Sequence, residues 1–334
     1  MIKISINGLG RIGRAIIRLA CFEYRDCFDL VSINSPGDNE TLVHLLKYDS
    51  IHGIDLKNKY ECDKDNLYIN GKKIRTFHTK NVEELDWSGV DVVMECTGKL
   101  TSSSDLRKHI SKGAKKVILS SPAKDKDIPT IVYKVNCDKV DLSSEIFSIG
   151  SCTTNCIAPV LKVLDENFGI ESGFMTTVHA YTNDQNIIDN SHKDLRRARA
   201  ATMSIIPTST GAANAIGLVL PNLAGKIQGN ALRVPVPNVS ISDLSCNLNK
   251  KSSIEELKKI FVEYSENQMS GVLSHHSEPL VSIDFVGNPH SSIVDLSSMN
   301  LIGDKFIKIS SWYDNEWGFS NRMLDVANKI INKL

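Results

Sequence analysis

The segment that most constrains this chain is Gly8-Leu9-Gly10-Arg11-Ile12-Gly13. It follows an apolar-alternating stretch, Lys3–Asn7, and opens a helical stripe over Arg14–Phe22 carrying Ile16, Ile17, Leu19 and Ala20. Strand, G-x-G-x-x-G turn and helix in that order suit a dinucleotide fold. Gly8, Gly10 and Gly13 allow a tight turn and close approach to a pyrophosphate seated on the helix N-terminus. The competing reading is a glycine turn in a flavodoxin-like sheet with no nucleotide. Short runs rich in β-branched residues follow at Leu30–Asn34, Val90–Cys96, Lys116–Ser120, Thr130–Val135 and Ile146–Ile149. Alternating with helical stretches, they predict an α/β, Rossmann-type doubly wound parallel sheet over residues 1–150.

That fingerprint expects an acid at the end of the second strand, to hold the adenosine ribose hydroxyls. Here Asn34-Ser35-Pro36-Gly37 stands in its place. Without a carboxylate nothing repels a 2′-phosphate, and a serine can donate to one. The expectation is use of NADP and NAD both; an NAD enzyme that tolerates a serine is the alternative.

After Cys152 the texture changes. Ile157, Val160, Leu161, Leu164 and Phe168 form one side of a helix over Ile157–Phe168. Alternating stretches at Gly173–Thr182, Lys226–Asn247 and Leu280–Asp284 predict an α+β domain over 151–315 with a mixed or antiparallel sheet. Between them Asn183–Thr210 is long, polar and arginine-rich, as functional loops are. A closing stripe of Met323, Leu324, Ala327, Ile330, Ile331 and Leu334 predicts a helix that returns to the first domain, so residues 316–334 are assigned there.

With 39 basic and 39 acidic residues, the chain has no global field for nucleic acid or an anionic membrane. No apolar run approaches a spanning helix, and the N-terminus lacks a signal peptide's apolar region, so a cytoplasmic location is expected. Eight cysteines scattered through such a chain are expected to be reduced. Cys152 and Cys156 lie too far apart for a Cys-x-x-Cys pair, and no second ligand pair follows for zinc. His275, His276 and His290 lack ordered ligand spacing and are expected at the surface, without metal.

Gly150-Ser151-Cys152-Thr153-Thr154-Asn155-Cys156 joins a strand to a helix. A cysteine there gains from unpaired N–H groups and the helix dipole, which favour its thiolate. His179, on Thr176-Thr177-Val178-His179, is the candidate base. Groups suited to phosphate follow: Thr182, Arg196-Arg197-Ala198-Arg199, Ser209-Thr210-Gly211 and Arg233. A subunit interface is the other use for the arginine cluster.

Ile6–Arg14, Ser151–Cys156, His179-Ala180-Tyr181-Thr182, Ser209–Ala213, Arg233-Val234-Pro235 and Trp312-Tyr313-Asp314-Asn315-Glu316 together resemble, in order and over essentially the whole chain, the glyceraldehyde-3-phosphate dehydrogenases. Asn183-Asp184-Gln185 and His192–Arg199 resemble bacterial members, and the missing ribose carboxylate their NADP-using branch. The resemblance implies phosphorylating oxidation of the aldehyde through a thiohemiacetal and a thioester on Cys152, with His179 as base. It implies that Ser151, Thr153, Thr182, Arg197, Thr210, Gly211 and Arg233 hold substrate phosphate or inorganic phosphate. It places Arg11, Ile12, Asn34, Ser35, Thr97, Gly98, Ser120 and Asn315 at the cofactor, Asn315 near the nicotinamide amide, with Lys80 where many members have an arginine near the adenine. It also implies a homotetramer, with the arginine-rich segment reaching toward a neighbouring site. Ile149-Gly150, where asparagine-alanine is usual, and Ser35, where aspartate is usual, depart from the pattern. Erythrose-4-phosphate dehydrogenase is the nearest rival, since it shares Ser-Cys-Thr-Thr-Asn-Cys; this chain differs from it after the histidine and at Ser209–Ala213. A binding protein that kept the fold and lost catalysis, and a cysteine hydrolase, are further rivals.

Overall fold

The computed structural model describes residues 1–332. The chain divides into two compact units. The first holds Met1–Ile131, Lys139–Gly150 and the chain from Ser320 onward; the second holds Val132–Asp138 and Ser151–Phe319.

In the first unit one sheet runs in the order Ile146–Ser148, Lys116–Leu119, Val92–Glu95, Ile2–Asn7, Phe28–Asn34, Lys72–Phe77, Asn66–Ile69, Tyr60–Cys62. The strands from Ile146–Ser148 to Lys72–Phe77 are parallel; the last two pair antiparallel. Its centre is buried on both faces, so Val92, Val93 and Met94 read as a continuous apolar run. The helix Ser103–Ser111 contributes Leu106 to a cluster with Val93, Val117, Leu119 and Ile146. The first helix, Arg11–Arg18, passes into one π-helical turn, Leu19–Glu23. The last helix, Trp317–Asn332, buries Met323, Leu324, Ala327 and Ile330, and from it Asn321 accepts from Tyr24 at 2.8 Å. Leu334, expected on the same stripe, lies outside the described residues.

The second unit has a mixed sheet in the order Ile206–Ser209, Ile227–Val234, Ile170–Ala180, Ser240–Leu248, Phe306–Tyr313, Ser292–Asp295, Leu273–His276. Ile170–Ala180 pairs parallel with Ile227–Val234 and antiparallel with Ser240–Leu248. On this sheet lies the helix Cys152–Asn167, whose Ile157, Val160, Leu161 and Leu164 pack with Met175, Leu244, Ile307 and Ile309.

Two expected strands do not form. Thr130 makes only an isolated bridge to Ser148, and the chain then coils. Asn136 accepts from the Val132 N–H at 2.8 Å and Lys134 takes φ +60, so local side-chain bonding wins over β propensity. At Leu280–Asp284 the Asp284 carboxylate accepts from the Val281 N–H at 2.8 Å and winds Ser282–Phe285 into a 3₁₀ turn. His276, expected at the surface, is buried against Phe285, because its Nδ1 finds the Glu278 carbonyl at 3.0 Å. Among the described residues no cluster of His, Cys, Asp and Glu is arranged to hold a metal ion, and no helix is long and apolar enough to cross a membrane.

Candidate active site

The helix Cys152–Asn167 begins at the thiol. Ser151 caps it, accepting from the Thr154 N–H at 3.0 Å. Gly150 just before takes φ +68, which glycine adopts without strain. Across from the thiol, His179 projects from the end of Ile170–Ala180 and sets Nε2 at 3.4 Å from the Cys152 sulfur. Both belong to the second unit.

Register explains what surrounds His179. Arg233 is its partner on the parallel neighbour, and Ile206 pairs with Arg233 on the strand beyond. Arg233 Nη1 therefore sits 2.8 Å from His179 Nδ1 and donates to the Ala180 carbonyl at 2.9 Å, while Nδ1 itself lies 2.7 Å from that carbonyl. These neighbours make opposite demands on Nδ1, since a guanidinium only donates and a carbonyl only accepts. With the proton on Nδ1 the imidazole bonds Ala180 and turns an accepting Nε2 to the thiol. With Nδ1 accepting from Arg233, Nε2 carries the proton instead.

Burial and the Arg233 cation push His179 down to about 3. Burial likewise raises Cys152 above its ordinary value, opposed by Arg233 and by the Thr153 N–H. Burial thus works against the thiolate, while the Arg233 guanidinium and the Thr153 N–H work for it. Cys156, one turn on and fully buried, is pushed up to about 12 with no cation beside it. Cys152 is therefore the thiol placed to lose a proton, and His179 Nε2 the atom placed to receive it.

The other expected residues divide into three groups. Arg197 pairs with Asp184 and donates to the Thr208 hydroxyl at 2.9 Å and the Ser209 carbonyl at 3.1 Å, on the strand next to that of Arg233. Thr210 and the exposed Gly211 follow, and Gly211 starts the helix Ala212–Val219. Thr182 stands just past the His179 strand, partly exposed. Thr153, by contrast, is buried and its hydroxyl bonds Tyr313 at 2.9 Å, so that side chain is committed inward. Tyr313 also bonds the Thr177 hydroxyl at 2.8 Å, tying the Cys152 helix to the His179 strand.

Asn315 carries a polarity the sequence does not announce. The Ala180 N–H donates to Ser240 Oγ at 3.1 Å, so Ser240 donates onward to Asn315 Oδ1 at 2.9 Å. The Asn315 amide orientation is thereby fixed, with Oδ1 on Ser240. Val239, a buried β-branched residue at φ +67, sets Ser240 in this position. No sequence signal marks Val239 or Ser240.

The first unit supplies a dinucleotide cradle. A side chain at Gly13 would meet the Gly8 carbonyl at 2.2 Å, and one at Gly8 the Thr97 nitrogen at 2.7 Å, whereas Gly10 faces open space. The helix that starts there has no side-chain cap and no acid in its first turn, which suits an anionic pyrophosphate. Arg11's guanidinium turns away to hold Asp49 at 2.5 and 3.0 Å, and with the Ile51 and His52 N–H groups it keeps that carboxyl well below the carboxylate range despite burial. Arg11 and Ile12 thus offer the cradle backbone N–H groups. Asn34 is buried and bonded to Asn7 and Thr79, while Ser35 is partly exposed. His78, which sequence reasoning missed, lies beside Ser35, its Nδ1 at 2.7 Å from the Gly37 carbonyl. Lys80 is exposed two residues on, Gly98 is exposed at φ +68, and the Ser120 N–H donates to the Glu95 carbonyl at 3.0 Å.

Comparison with known proteins agrees with both halves. Residues 2–103 match the family described as glyceraldehyde 3-phosphate dehydrogenase, NAD binding domain, and residues 151–315 its C-terminal domain. The chain is 49% identical to glyceraldehyde-3-phosphate dehydrogenase 2 of Bacillus subtilis, covering 100% of this chain and 98% of that protein. It is 50% identical to the glyceraldehyde-3-phosphate dehydrogenase of Geobacillus stearothermophilus over 99% of each chain, and 48% identical to that of Mycobacterium avium over 98% and 97%. The chain belongs to the glyceraldehyde-3-phosphate dehydrogenase family.

Proposed function

We infer that the protein catalyses the reversible phosphorylating oxidation of D-glyceraldehyde 3-phosphate to 1,3-bisphosphoglycerate, with NAD(P), as a step of glycolysis and gluconeogenesis. The observation that carries this is the Cys152 Sγ to His179 Nε2 contact at 3.4 Å, with Arg233 on the adjoining strand and Arg197, from the loop, bonded to the strand beyond. Cys152 attacks the aldehyde carbon as its proton passes to Nε2, giving a thiohemiacetal. Nε2 gives that proton to the forming oxygen and takes it back as the carbonyl re-forms. The bound nicotinamide supplies the hydride acceptor, and the product on sulfur is a thioester. Inorganic phosphate then attacks the thioester and the Cys152 thiolate leaves. Arg197, Arg233, Thr182, Ser151, Thr210 and Gly211 are assigned to the substrate phosphate and inorganic phosphate; Thr153 serves through Tyr313, by holding the helix.

The backbone of Arg11 and Ile12, with Asn34, Ser35, Thr97, Gly98 and Ser120, is assigned to the dinucleotide, and Asn315 Nδ2 to the nicotinamide amide. NADP use beside NAD rests on Ser35. His78, against the Ser35 and Gly37 carbonyls, and Lys80 two residues on follow the strand Lys72–Phe77 and are assigned to a 2′-phosphate. A homotetramer is supported by Ile187, Ile188, Leu195, Met203 and Ile205, all at least two-thirds exposed in the arginine-rich segment. A cytoplasmic setting suits the reduced, scattered cysteines.

Side-by-side turnover of glyceraldehyde 3-phosphate and erythrose 4-phosphate, with and without phosphate, tests the reading. Phosphate-dependent preference for the three-carbon aldehyde is expected; preference for erythrose 4-phosphate assigns the chain to the rival activity.

A further inference from the structure

A carboxylate with no solvent exposure lies under the dinucleotide cradle, and the chemistry above leaves it unused. Glu95 ends the strand Val92–Glu95, and in register beside it are Asn7 and then Asn34, each at the end of its strand. Asn7 Nδ2 donates to Glu95 Oε2 at 2.6 Å, and His109 Nε2 lies 3.1 Å from the same oxygen. The other oxygen, Oε1, accepts from the Thr97 N–H at 2.7 Å and from the Thr97 hydroxyl.

Every bond in this ladder has a forced direction. Trp87 Nε1 can only donate, and does so to His109 Nδ1 at 2.9 Å, so the His109 proton is on Nε2 and points at Glu95. At the other end Thr79 fixes Asn34 with backbone groups: Thr79 N–H donates to Oδ1 at 3.2 Å and its carbonyl accepts from Nδ2 at 3.0 Å. Asn34 Nδ2 must then donate to Asn7 Oδ1 at 2.7 Å, which turns Asn7 Nδ2 toward Glu95. Donors therefore converge on both Glu95 oxygens, and only a group that accepts at both ends satisfies them.

The geometry points to Glu95 as a positioning residue for the dinucleotide. Its carboxylate ties together the carboxyl ends of three adjacent parallel strands, where such folds place their ligand, and so sets Asn34-Ser35, Gly8 and Thr97-Gly98 relative to one another. This rests on the assignment of those segments to NAD(P). Glutamine is isosteric, yet it brings a donor to one end. Placed on the Oε2 side, that donor faces Asn7 and His109; reorienting the amides only passes the conflict to the Thr79 backbone. Placed on the Oε1 side, it faces the Thr97 N–H. A simple charge argument gives the opposite sign, since deleting a buried negative charge beneath a pyrophosphate should tighten binding.

The test is titration calorimetry of NAD and NADP with the full-length protein. Glu95→Gln is expected to weaken both about tenfold to a hundredfold, the effect of one buried donor facing a donor. The KM for glyceraldehyde 3-phosphate and the Cys152 alkylation rate should stay near wild type. Asn7→Asp should also weaken binding at neutral pH, by setting two carboxylates in contact. The double variant Asn7→Asp/Glu95→Gln restores an acceptor opposite a donor at residue 7 but leaves the new amide facing His109, so it should bind more tightly than either single and less tightly than wild type. Unchanged or tighter binding by Glu95→Gln, or a double variant no better than the singles, overturns the proposal; should Glu95→Gln not fold, Asn7→Asp and the double variant decide it. Gly10→Ala, where open space admits a methyl, separates the two levels. If it alone weakens binding, the cradle stands and the role of Glu95 falls; if it has no effect, the reading of the cradle falls.

Discussion

Replacing His179 by asparagine should change the shape of a pH profile as well as a rate. In the wild type His179 Nε2 lies 3.4 Å from the Cys152 sulfur, so the thiol proton can pass to it without leaving the site. While the pair holds one proton, the ratio of neutral pair to ion pair does not vary with pH. On this account attack proceeds as that proton passes to Nε2, so reaction of Cys152 with iodoacetamide should be nearly flat from about pH 5 to 8, falling only as acid adds a second proton to the pair. Asparagine keeps a polar side chain and removes the proton acceptor. The thiolate must then arise by simple ionisation of a thiol that burial raises, so at pH 7 it is a small minority. Alkylation should rise about tenfold per pH unit from 7 toward 9. Hydride transfer, followed by stopped-flow absorbance of the reduced cofactor, should fall by roughly 10² to 10⁴ at pH 7. A variant within a few-fold of wild type, or one that keeps the flat profile, would refute the assignment of His179 as base.

Wild-type Cys152 should be alkylated at least about a hundredfold faster than Cys156 at pH 7, since only the first has a cation and a base beside it; peptide mapping that finds equal labelling contradicts this. Tyr313→Phe leaves the Thr153 and Thr177 hydroxyls without a shared buried partner and should cost about 1–3 kcal/mol in urea unfolding; a change under a few tenths argues that the tie between helix and strand is slack. Ser35→Asp should swing the NAD to NADP ratio of kcat/KM toward NAD by about tenfold or more, about 1.4 kcal/mol per tenfold; an unchanged ratio removes Ser35 from the ribose site.

Much of this was legible because the chemistry depends on contiguous signals. The glycine turn declares itself by spacing, and Gly8 and Gly13 prove to be the positions where a side chain would strike backbone. Cys152 is marked by the cap before it and the helix that follows. Contacts that arise from register were hidden. His179 and Arg233 lie 54 positions apart and meet only because their strands pair in parallel. Thr153 carries the expected identity, but its hydroxyl turns to Tyr313, 160 residues away. The Glu95 ladder has no motif, since its members are single polar residues at strand ends. Thr130–Val135 misled because β-branched composition says nothing of the Asn136 side chain that coils it.

The most direct test of the account is a single-turnover experiment without phosphate. Enzyme mixed with glyceraldehyde 3-phosphate and NAD or NADP should produce a burst of reduced cofactor approaching one equivalent per Cys152 and then nearly stop, as the thioester accumulates. Adding phosphate should restart turnover, and Cys152→Ser should give no burst while still binding the cofactor. Steady turnover without phosphate, or a burst that survives Cys152→Ser, would contradict a phosphate-resolved thioester on this sulfur.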